Sequence, residues 1–405
     1  MENLRIVVAG HIDHGKSTLI GRLLYETNCL PKNVIEKIKK SEALGCKEEF
    51  AFITDQLEEE QTGGITIDTT QVEFKTAKRS YTLIDTPGHK EFLKNMVTGT
   101  TRADAAILVI DASQGPLVQT YQHAYLIAML GIRQILVVVN KMDIKLYNKL
   151  MFRELSEEIT DFLKKLNMEI IAIVPVSAQH GENITEKSNK MQWNKSHTLT
   201  ESLDYFSSQK NLSRLPLRLI VQCPYVTDGE TFILGKVASG KLFKNRRLTF
   251  GPTHYITKVL FIEVSGRERA TAESGESVAI VLEDTTNVER GQVGFDMRYP
   301  PLITDNLTAD VFWIGTEPLR PGGKIDILCG TRRCSAQLEE ISKIISPVNL
   351  KVISTNAVQL TDSQVASVKI KLDSPMCVDP FDKLPELGRF AIVQNVRITG
   401  GGVVK

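Results

Sequence analysis

The stretch "VVAGHIDHGKSTLIGRLL", which begins at residue 7, constrains the fold more than any other part of the chain. Val7 and Val8 are typical of the end of a buried strand. Four apolar residues then recur with the period of an amphipathic helix: Leu19, Ile20, Leu23 and Leu24. Between them, residues 10–17 match the pattern G-x-x-x-x-G-K-[ST]. A strand, a glycine-containing loop and a helix in direct succession predict a phosphate-binding loop.

Each part of this loop has a chemical use for a chain of phosphates. Glycines let backbone N–H groups converge on an anion, and the start of the helix adds its positive end. Lys16 can reach the β and γ phosphates, and the Ser17 hydroxyl can bind Mg²⁺. The loop therefore contributes nine residues to the predicted nucleotide site: Gly10, His11, Ile12, Asp13, His14, Gly15, Lys16, Ser17 and Thr18.

A second motif, DTPGH at residues 85–89, follows an apolar run at residues 81–84. A carboxylate at a strand end suits Mg²⁺, so we expect Asp85 to contribute to the nucleotide site and its metal. Gly88 can offer a backbone N–H to a γ-phosphate and let the loop move when that phosphate leaves. His89 is then placed to orient an attacking water and is the predicted catalytic residue. In isolation, the same five residues would be typical of a surface turn.

A third group of residues predicts which base the site accepts. Asn140, Lys141 and Asp143 lie in NKMD after a strongly apolar run, and Ser177 and Ala178 follow the next one. The Asp143 carboxylate can accept hydrogen bonds from N1–H and the 2-amino group of guanine, whereas adenine offers no such donor pair. Lys141 can lay its stem over the base, and Ser177-Ala178 can offer the base a backbone N–H. These residues predict GTP or GDP as the ligand.

A fourth motif, GITID at residues 64–68, lies between the first two. A threonine on a movable loop there can complete the Mg²⁺ shell only while a γ-phosphate is present, which makes an order-to-disorder switch. A plain strand start is a compatible interpretation, because Thr66, Ile67 and Thr69 are good strand formers. The predicted Mg²⁺ ligands are therefore Ser17, Thr66 and Asp85.

The apolar runs divide the chain into a first part that alternates strands with helices and a second part that is mostly strands. In the first part, helical patterns such as residues 150–166 separate the strand-like runs, which predicts a doubly wound sheet of the α/β class. Short, closely spaced β-like runs follow and predict two β-barrels. We predict a GTP-binding P-loop domain at residues 1–210 and barrels at 211–300 and 301–405.

Composition narrows the classes of function. A net charge of +1 argues against a strongly basic nucleic-acid binder, although Lys241, Lys244, Arg246 and Arg247 form one local basic cluster. No apolar run approaches the roughly 20 residues of a membrane span, and no N-terminal signal pattern is present. The six scattered cysteines lack metal-ligand spacing and are expected to be free thiols. We therefore expect a cytoplasmic protein with no membrane partner.

The motifs GHIDHGKST, GITID, DTPGH, NKMD and SA together resemble those of the translation-factor class of GTPases in order and spacing. This resemblance covers essentially the whole chain and implies a nucleotide domain followed by two barrels, with GTP hydrolysis as the activity. The class usually carries a glutamate- and arginine-rich stretch before GITID, where this chain has Gln61-Thr62-Gly63-Gly64. An arginine finger from that loop is not expected, so we expect a partner to activate hydrolysis.

Two branches of the class fit the chain. One contains carriers of aminoacyl-tRNA such as elongation factor Tu, and its partners would be the ribosome and tRNA. The other is the GTPase subunit of heterodimeric sulfate adenylyltransferase, whose partner would be the small subunit that makes adenylyl sulfate from ATP and sulfate. The segments LEDTTNVERGQV and DVFW followed by EPLRPG resemble the second branch, which the sequence favours. The phosphate loop HIDHGKS is closer to that of elongation factors.

Overall fold

The computed structural model describes residues 3–30, 35, 50, 70–76, 78–85, 103–207, 212–227 and 230–405. Three predicted site residues lie outside these ranges: Thr66, Gly88 and His89. Their roles in metal binding, phosphate sensing and catalysis therefore stay predictions. The described residues divide into two units, the first made of residues up to 207 and the second of nearly all residues from 212 onward.

The first unit contains six strands: β1 (Asn3–Gly10), β2 (Thr70–Lys75), β3 (Ser80–Asp85), β4 (Ala105–Asp111), β5 (Gln134–Asn140) and β6 (Glu169–Pro175). They form one sheet in the order β2-β3-β1-β4-β5-β6, in which only the β2–β3 pair is antiparallel. Every residue of β4 and β5 is buried, as in strands covered on both faces. The apolar runs correctly predicted the parallel strands, but β6 is less buried than predicted because it lies at the sheet edge.

The described part of this unit contains four α-helices: α1 (Lys16–Glu26), α2 (Val118–Met129), α3 (Lys149–Lys165) and α4 (Leu199–Leu203). The side chain of Asn148 caps α3 by accepting hydrogen bonds from two backbone N–H groups of its first turn. Ile159, Phe162 and Leu163 bury the apolar face of this helix, which confirms the helix predicted at residues 150–166. None of the helices in the described ranges has both the length and the apolarity that crossing a bilayer requires.

The second unit begins with a β-barrel built from nine short strands: β7 (Arg218–Thr227), β8 (Glu230–Ser239), β9 (Lys241–Phe243), β10 (Arg247–Gly251), β11 (Tyr255–Val264), β12 (Arg267–Glu268), β13 (Thr271–Glu273), β14 (Ser277–Leu282) and β15 (Val293–Phe295). Seven of them form a sheet in the order β10-β15-β7-β8-β14-β11-β12, which closes through the β10–β11 pairing, and β9 pairs with β13. Alternating apolar residues fill the interior, as on β11 and β14.

A second barrel follows, with seven strands and one short helix: β16 (Leu302–Trp313), β17 (Lys324–Cys329), β18 (Arg332–Ile345), β19 (Val352–Thr355), β20 (Gln364–Val378), α5 (Pro385–Gly388), β21 (Arg389–Gln394) and β22 (Arg397–Val404). The strand order is β17-β21-β22-β16-β20-β18-β19, and the β17–β18 pairing closes the barrel. Within residues 212–227 and 230–405, no strand is shared between the two barrels, and their sheets separate between residues 295 and 302. The predicted domain limits at 210 and 300 are kept as proposals.

A buried ion pair joins the two barrels. Arg218 on β7 donates from Nε to Oδ2 of Asp379 at 2.8 Å and from Nη2 to Oδ1 at 3.1 Å. Its Nη1 donates to the backbone oxygens of Leu217 and Tyr299. Apolar residues from both barrels pack beside the pair: Ile220, Ala238, Val293, Cys377, Leu384 and Leu387. We call this set the barrel seam.

Candidate nucleotide-binding site

The carboxyl ends of the parallel strands lie along one edge of the six-stranded sheet. Val8 of β1 is in register with Asp85 of β3, and Asp111 of β4 is in register with Asn140 of β5. In such a sheet, ligands bind in the loops that follow these ends. The strand ends thus bring together loops that are far apart in sequence, and we refer to this region as the sheet edge.

Two glycines shape the phosphate loop that follows β1. Gly10 has φ of 152° and Gly15 has φ of 80°, conformations that favour glycine. A Cβ on Gly10 would lie 2.5 Å from the backbone oxygen of Val109, and one on Gly15 would lie 2.7 Å from Nδ2 of Asn140. The loop therefore packs directly on β4 and β5, and neither glycine tolerates a side chain.

Lys16, the first residue of α1, turns its side chain back onto this loop. Its side chain is buried, and Nζ donates to the backbone oxygens of Gly10 at 3.0 Å and His11 at 3.1 Å. Burial lowers the pKa of Lys16, and the carboxylates of Asp85 and Asp13 only partly offset that effect. An ammonium group held by neutral carbonyl oxygens is suited to accept an anionic partner.

The remaining loop residues differ in exposure. Ile12 and Asp13 are exposed, and His11 caps the short helix Ile12–His14 by accepting a hydrogen bond at Nδ1 from the Asp13 backbone N–H. Ser17 and Thr18 are half-buried in the first turn of α1. Ser17 and the half-buried Asp85 both supply oxygen atoms, which Mg²⁺ prefers. The oxygen atoms of Ser17 and Asp85, together with the Lys16 ammonium, therefore suit a phosphate group with bound Mg²⁺.

His14 anchors the loop from inside. Its ring is buried, and Nδ1 lies 3.1 Å from the backbone oxygen of Val109. Because a carbonyl oxygen only accepts, Nδ1 carries the proton, and Nε2 has no hydrogen-bond partner among the described residues. Burial lowers the pKa of His14 against the opposing hydrogen bond to Val109. The neutral ring is therefore the form that this packing favours.

Asn140 connects the phosphate loop with the loop after β6. Its Nδ2 donates to the backbone oxygen of His14 at 3.0 Å, and its Oδ1 accepts from the backbone N–H of Ala178 at 3.0 Å. The side chain is buried, so it fixes both loops in a dry environment where hydrogen bonds are strong. The Ala178 N–H, which we predicted to support the base, is thus already bonded within the protein.

Lys141 adopts a left-handed backbone conformation and turns its side chain across the sheet edge. Nζ lies 2.8 Å from Oδ2 of the buried Asp111 and also donates to the backbone oxygen of Asp13. Burial raises the pKa of Asp111, but hydrogen bonds from Lys141 and Ser113 outweigh it and hold the pKa below its ordinary value. The Lys141 stem is therefore fixed beside the phosphate loop.

Asp143 stands at the far end of the sheet edge, in the short helix Met142–Lys145. Its Oδ1 accepts from the Ser177 hydroxyl, and its Oδ2 lies 3.8 Å from Nδ1 of His180. The Ser177 backbone N–H donates to Glu182, so it too is engaged within the protein. The carboxylate remains partly exposed, at 24% of its side-chain area, and can receive a base.

The structure brings all predicted site residues that it describes to this one edge. It also adds two that the motifs do not contain, Asp111 and His180. Asp111 carried a detectable signal, because it is a carboxylate at the end of an otherwise apolar strand, at the same edge as Asp85. His180 had none, since only the folded loop places it near Asp143.

The fold and this edge define a P-loop nucleotide-binding protein in which an α/β domain precedes two β-barrels. Residues 1–221 match the family model of the elongation factor Tu GTP binding domain, and residues 306–405 match the family model described as GTP-eEF1A C-terminal domain-like. The chain belongs to this translation-factor family of GTPases. Membership confirms the predicted fold class and the predicted GTP-binding domain.

Relatives from both branches span almost the entire chain. Elongation factor 1-alpha of Nanoarchaeum equitans is 34% identical over 416 residues, covering 100% of this chain and 96% of that protein. Elongation factor 1-alpha of Methanosarcina barkeri is 35% identical over 398 residues, covering 96% and 94%. Sulfate adenylyltransferase subunit 1 of Aeromonas hydrophila is 34% identical over 413 residues, covering 99% and 86%.

Proposed function

We propose that this GTPase is an elongation-factor-type protein that acts with the ribosome and aminoacyl-tRNA. The observation that carries the proposal is the similarity to elongation factor 1-alpha over the full length of the chain, in proteins of nearly the same extent. This proposal reverses the preference for the sulfate adenylyltransferase branch that the sequence segments suggested. The relatives support the elongation factor branch better, because several of them carry that name.

In this proposal, GTP binds along the sheet edge. Lys16 and the loop backbone hold the phosphates, and Asp143 pairs with guanine through two hydrogen bonds. Ser17, Asp85 and Thr66 would hold Mg²⁺, which neutralises charge on the β and γ phosphates. His89 would orient the attacking water.

The GTPase subunit of sulfate adenylyltransferase is the second candidate. The Aeromonas relative supports it, and so do the ion pairs of the basic cluster on the first barrel. Lys241 pairs with Glu273 at 2.7 Å, and Lys244 pairs with Glu268 at 2.6 Å. An RNA phosphate would have to displace these carboxylates, so Lys241 and Lys244 are poor candidates for tRNA contact. In this branch, GTP hydrolysis would drive synthesis of adenylyl sulfate by a partner subunit.

The nucleotide part of the proposal is tested by binding to the full chain. Wild-type protein should prefer GTP over ATP, and Asp143→Asn should weaken GTP while favouring xanthosine triphosphate, whose 2-oxo group needs a donor. Equal affinity of the wild type for ATP and GTP would remove the basis for guanine recognition.

The partner is tested by measuring GTP turnover in two mixtures. One contains ribosomes and charged tRNA, and the other contains the small adenylyltransferase subunit, ATP and sulfate. A completed site can raise turnover by ~10³–10⁵-fold, and His89→Ala serves as the control that should bind GTP but respond to neither mixture. Stimulation by the first mixture supports the elongation factor proposal, and stimulation only by the second selects the other branch.

A further inference from the structure

A histidine outside the recognised motifs contacts the base end of the sheet edge. Nδ1 of His180 lies 3.0 Å from Oγ of Ser177 and 3.8 Å from Oδ2 of Asp143. The same Ser177 hydroxyl donates to Oδ1 of Asp143. Three side chains from two loops thus form a continuous chain that ends on the carboxylate proposed to recognise guanine.

The direction of the hydrogen bonds follows from counting protons. An ionised carboxylate only accepts, so the single Ser177 hydroxyl proton is directed to Asp143. The contact between His180 and Ser177 then requires Nδ1–H of His180 to donate to the Ser177 oxygen. The order is therefore His180 to Ser177 to Asp143, and each bond polarises the next.

The backbone around His180 fixes this geometry. The His180 N–H donates to the Ser177 backbone oxygen at 3.2 Å, and Ser177 exchanges two backbone hydrogen bonds with Glu182. Gly181 has φ of 71°, and a Cβ there would lie 2.1 Å from Nη2 of Arg22 on α1. The loop is thus closed by its own backbone and packed against the helix that follows the phosphate loop.

A neighbouring acid, Glu182, also acts electrostatically on the imidazole of His180. Glu182 forms an ion pair with Lys190 at 2.8 Å and accepts a hydrogen bond from the Ser188 hydroxyl. Each carboxylate oxygen of Glu182 therefore already has a partner of its own. Among the described residues, the Ser177 hydroxyl is the hydrogen-bond partner of the His180 Nδ1 at 3.0 Å, and Oδ2 of Asp143 lies 3.8 Å from it.

We propose that His180 is a positioning residue for guanine specificity, which it exerts by directing the Ser177 hydroxyl and thereby orienting the Asp143 carboxylate. This inference rests on the proposed guanine binding at Asp143. Guanine needs both carboxylate oxygens, one for N1–H and one for the 2-amino group, so a rotated carboxylate loses the pair. Hypoxanthine has only N1–H and tolerates such a rotation better.

The test compares GDP, IDP and ADP binding to the full chain freed of nucleotide. His180→Ala should weaken GDP binding by about five- to tenfold, the effect expected for one hydrogen bond in a partly buried site. IDP binding should change by less than about twofold, which is within the usual additivity error. His180→Asn is the matched rescue, because its Nδ2–H can replace the Nδ1–H donor and should restore GDP binding to within about twofold.

A double-mutant cycle with Ser177→Ala locates the path of the effect. If His180 acts through the Ser177 hydroxyl, His180→Ala should cause little further loss in the Ser177→Ala background. The imidazole ¹H–¹⁵N correlation spectrum gives a second readout, in which neutral His180 should carry its proton on Nδ1 in wild type and lose this preference in Ser177→Ala.

The outcomes separate the inference from its premise. A wild type that does not prefer GDP over ADP would defeat the proposed guanine site itself. A guanine-selective wild type would overturn the inference if His180→Ala binds GDP normally or weakens GDP and IDP equally. Failure of His180→Asn to rescue, with all variants folded by circular dichroism, would also overturn it.

Discussion

The barrel seam and the sheet edge are both buried polar networks, but they differ in how completely their buried charges are paired within the protein. At the seam, the Arg218 guanidinium meets both oxygens of Asp379 and two backbone carbonyls. At the sheet edge, the Lys16 ammonium donates to two neutral carbonyl oxygens, and the carboxylates of Asp85 and Asp13 only partly offset its burial. Nε2 of His14 has no hydrogen-bond partner among the described residues. The first network is complete within the chain, whereas the second retains capacity for another molecule.

This difference separates a network that stabilises the fold from one that binds a ligand. Burying a charge without its counterion disfavours the fold, so such a charge persists where a bound anion compensates it. We therefore expect substitutions at the two networks to have opposite consequences. Seam variants should lose stability and keep nucleotide affinity, whereas variants of Lys16 should keep stability and lose nucleotide affinity.

The largest effect on stability is expected for Arg218→Ala, which leaves Asp379 buried without its partner. The loss should be about 3–5 kcal/mol in the free energy of unfolding of the second unit. Trp193 lies in the first unit and Trp313 in the second, so urea unfolding followed by fluorescence in a Trp193→Phe background reports on the barrels. GDP affinity should stay unchanged.

Arg333→Ala is the matched control, because it breaks an exposed ion pair with Asp326. We expect a loss below about 1 kcal/mol for such a pair. Equal losses in the two arginine variants would contradict the view that the seam is a structural network.

The next largest effect is expected for Asn140→Ala, which breaks the links to His14 and Ala178 together. Unpaired groups left in a buried site should lower the stability of the first unit by about 2–4 kcal/mol. GDP should also bind more weakly, because both loops lose their common support. Fluorescence of Trp193 in a Trp313→Phe background measures the stability of the first unit, and titration with GDP measures the affinity.

Asn148→Ala provides the comparison for that variant, since the Asn148 side chain accepts hydrogen bonds from the backbone of α3 and not from the loops that Asn140 joins. The lost cap should lower stability by about 1 kcal/mol and leave GDP affinity unchanged. A normal GDP affinity in Asn140→Ala would show that the link between the loops is dispensable for binding.

Lys16→Met should change the stability of the nucleotide-free protein little, because it removes a desolvated charge. Its free energy of unfolding should be at most about 1 kcal/mol below that of wild type, or higher than it. Wild type should gain stability when GDP and Mg²⁺ are added, as mass action requires, and the variant should not. Thermal unfolding with and without GDP measures both quantities. A large loss of stability without nucleotide would place Lys16 among the structural residues.

The sequence predicted the sheet edge well where local chemistry defines it. The glycines and Lys16 of the phosphate loop, Asn140 at the end of β5 and Asp143 just after it lie where a strand-end interpretation puts them. Contacts that depend on tertiary structure were missed. Nothing local to Arg218 indicates a partner 161 residues away, and His180 meets Asp143 only because two separate loops fold together.

The sequence was least informative about which exposed charges are free and which are paired. Lys241 and Lys244 form a basic cluster in the sequence, yet acids from β13 and β12 neutralise both. The register of the barrel strands decides which acid lies opposite each lysine. The order of residues along the chain does not contain that register. The barrel strands themselves were predictable because their apolar runs are closely spaced between turns.

The smallest effect concerns pH and the buried His14. Burial lowers the pKa of His14 below 6.5, against the opposing effects of the hydrogen bond to Val109 and the Asp111 carboxylate. Its contribution to stability is therefore fully present above pH 6.5 and is lost as the pH falls through the folded-state value. His14→Asn can keep a donor to Val109 but does not titrate, so its free energy of unfolding should fall less steeply than that of wild type between pH 7 and about 5.

Urea unfolding of the nucleotide-free protein across this range measures the slope, and His197→Asn, which removes an exposed histidine, is the control. Parallel slopes in wild type and His14→Asn would mean that the buried ring accepts a proton without cost, and that Nε2 finds an acceptor when it does.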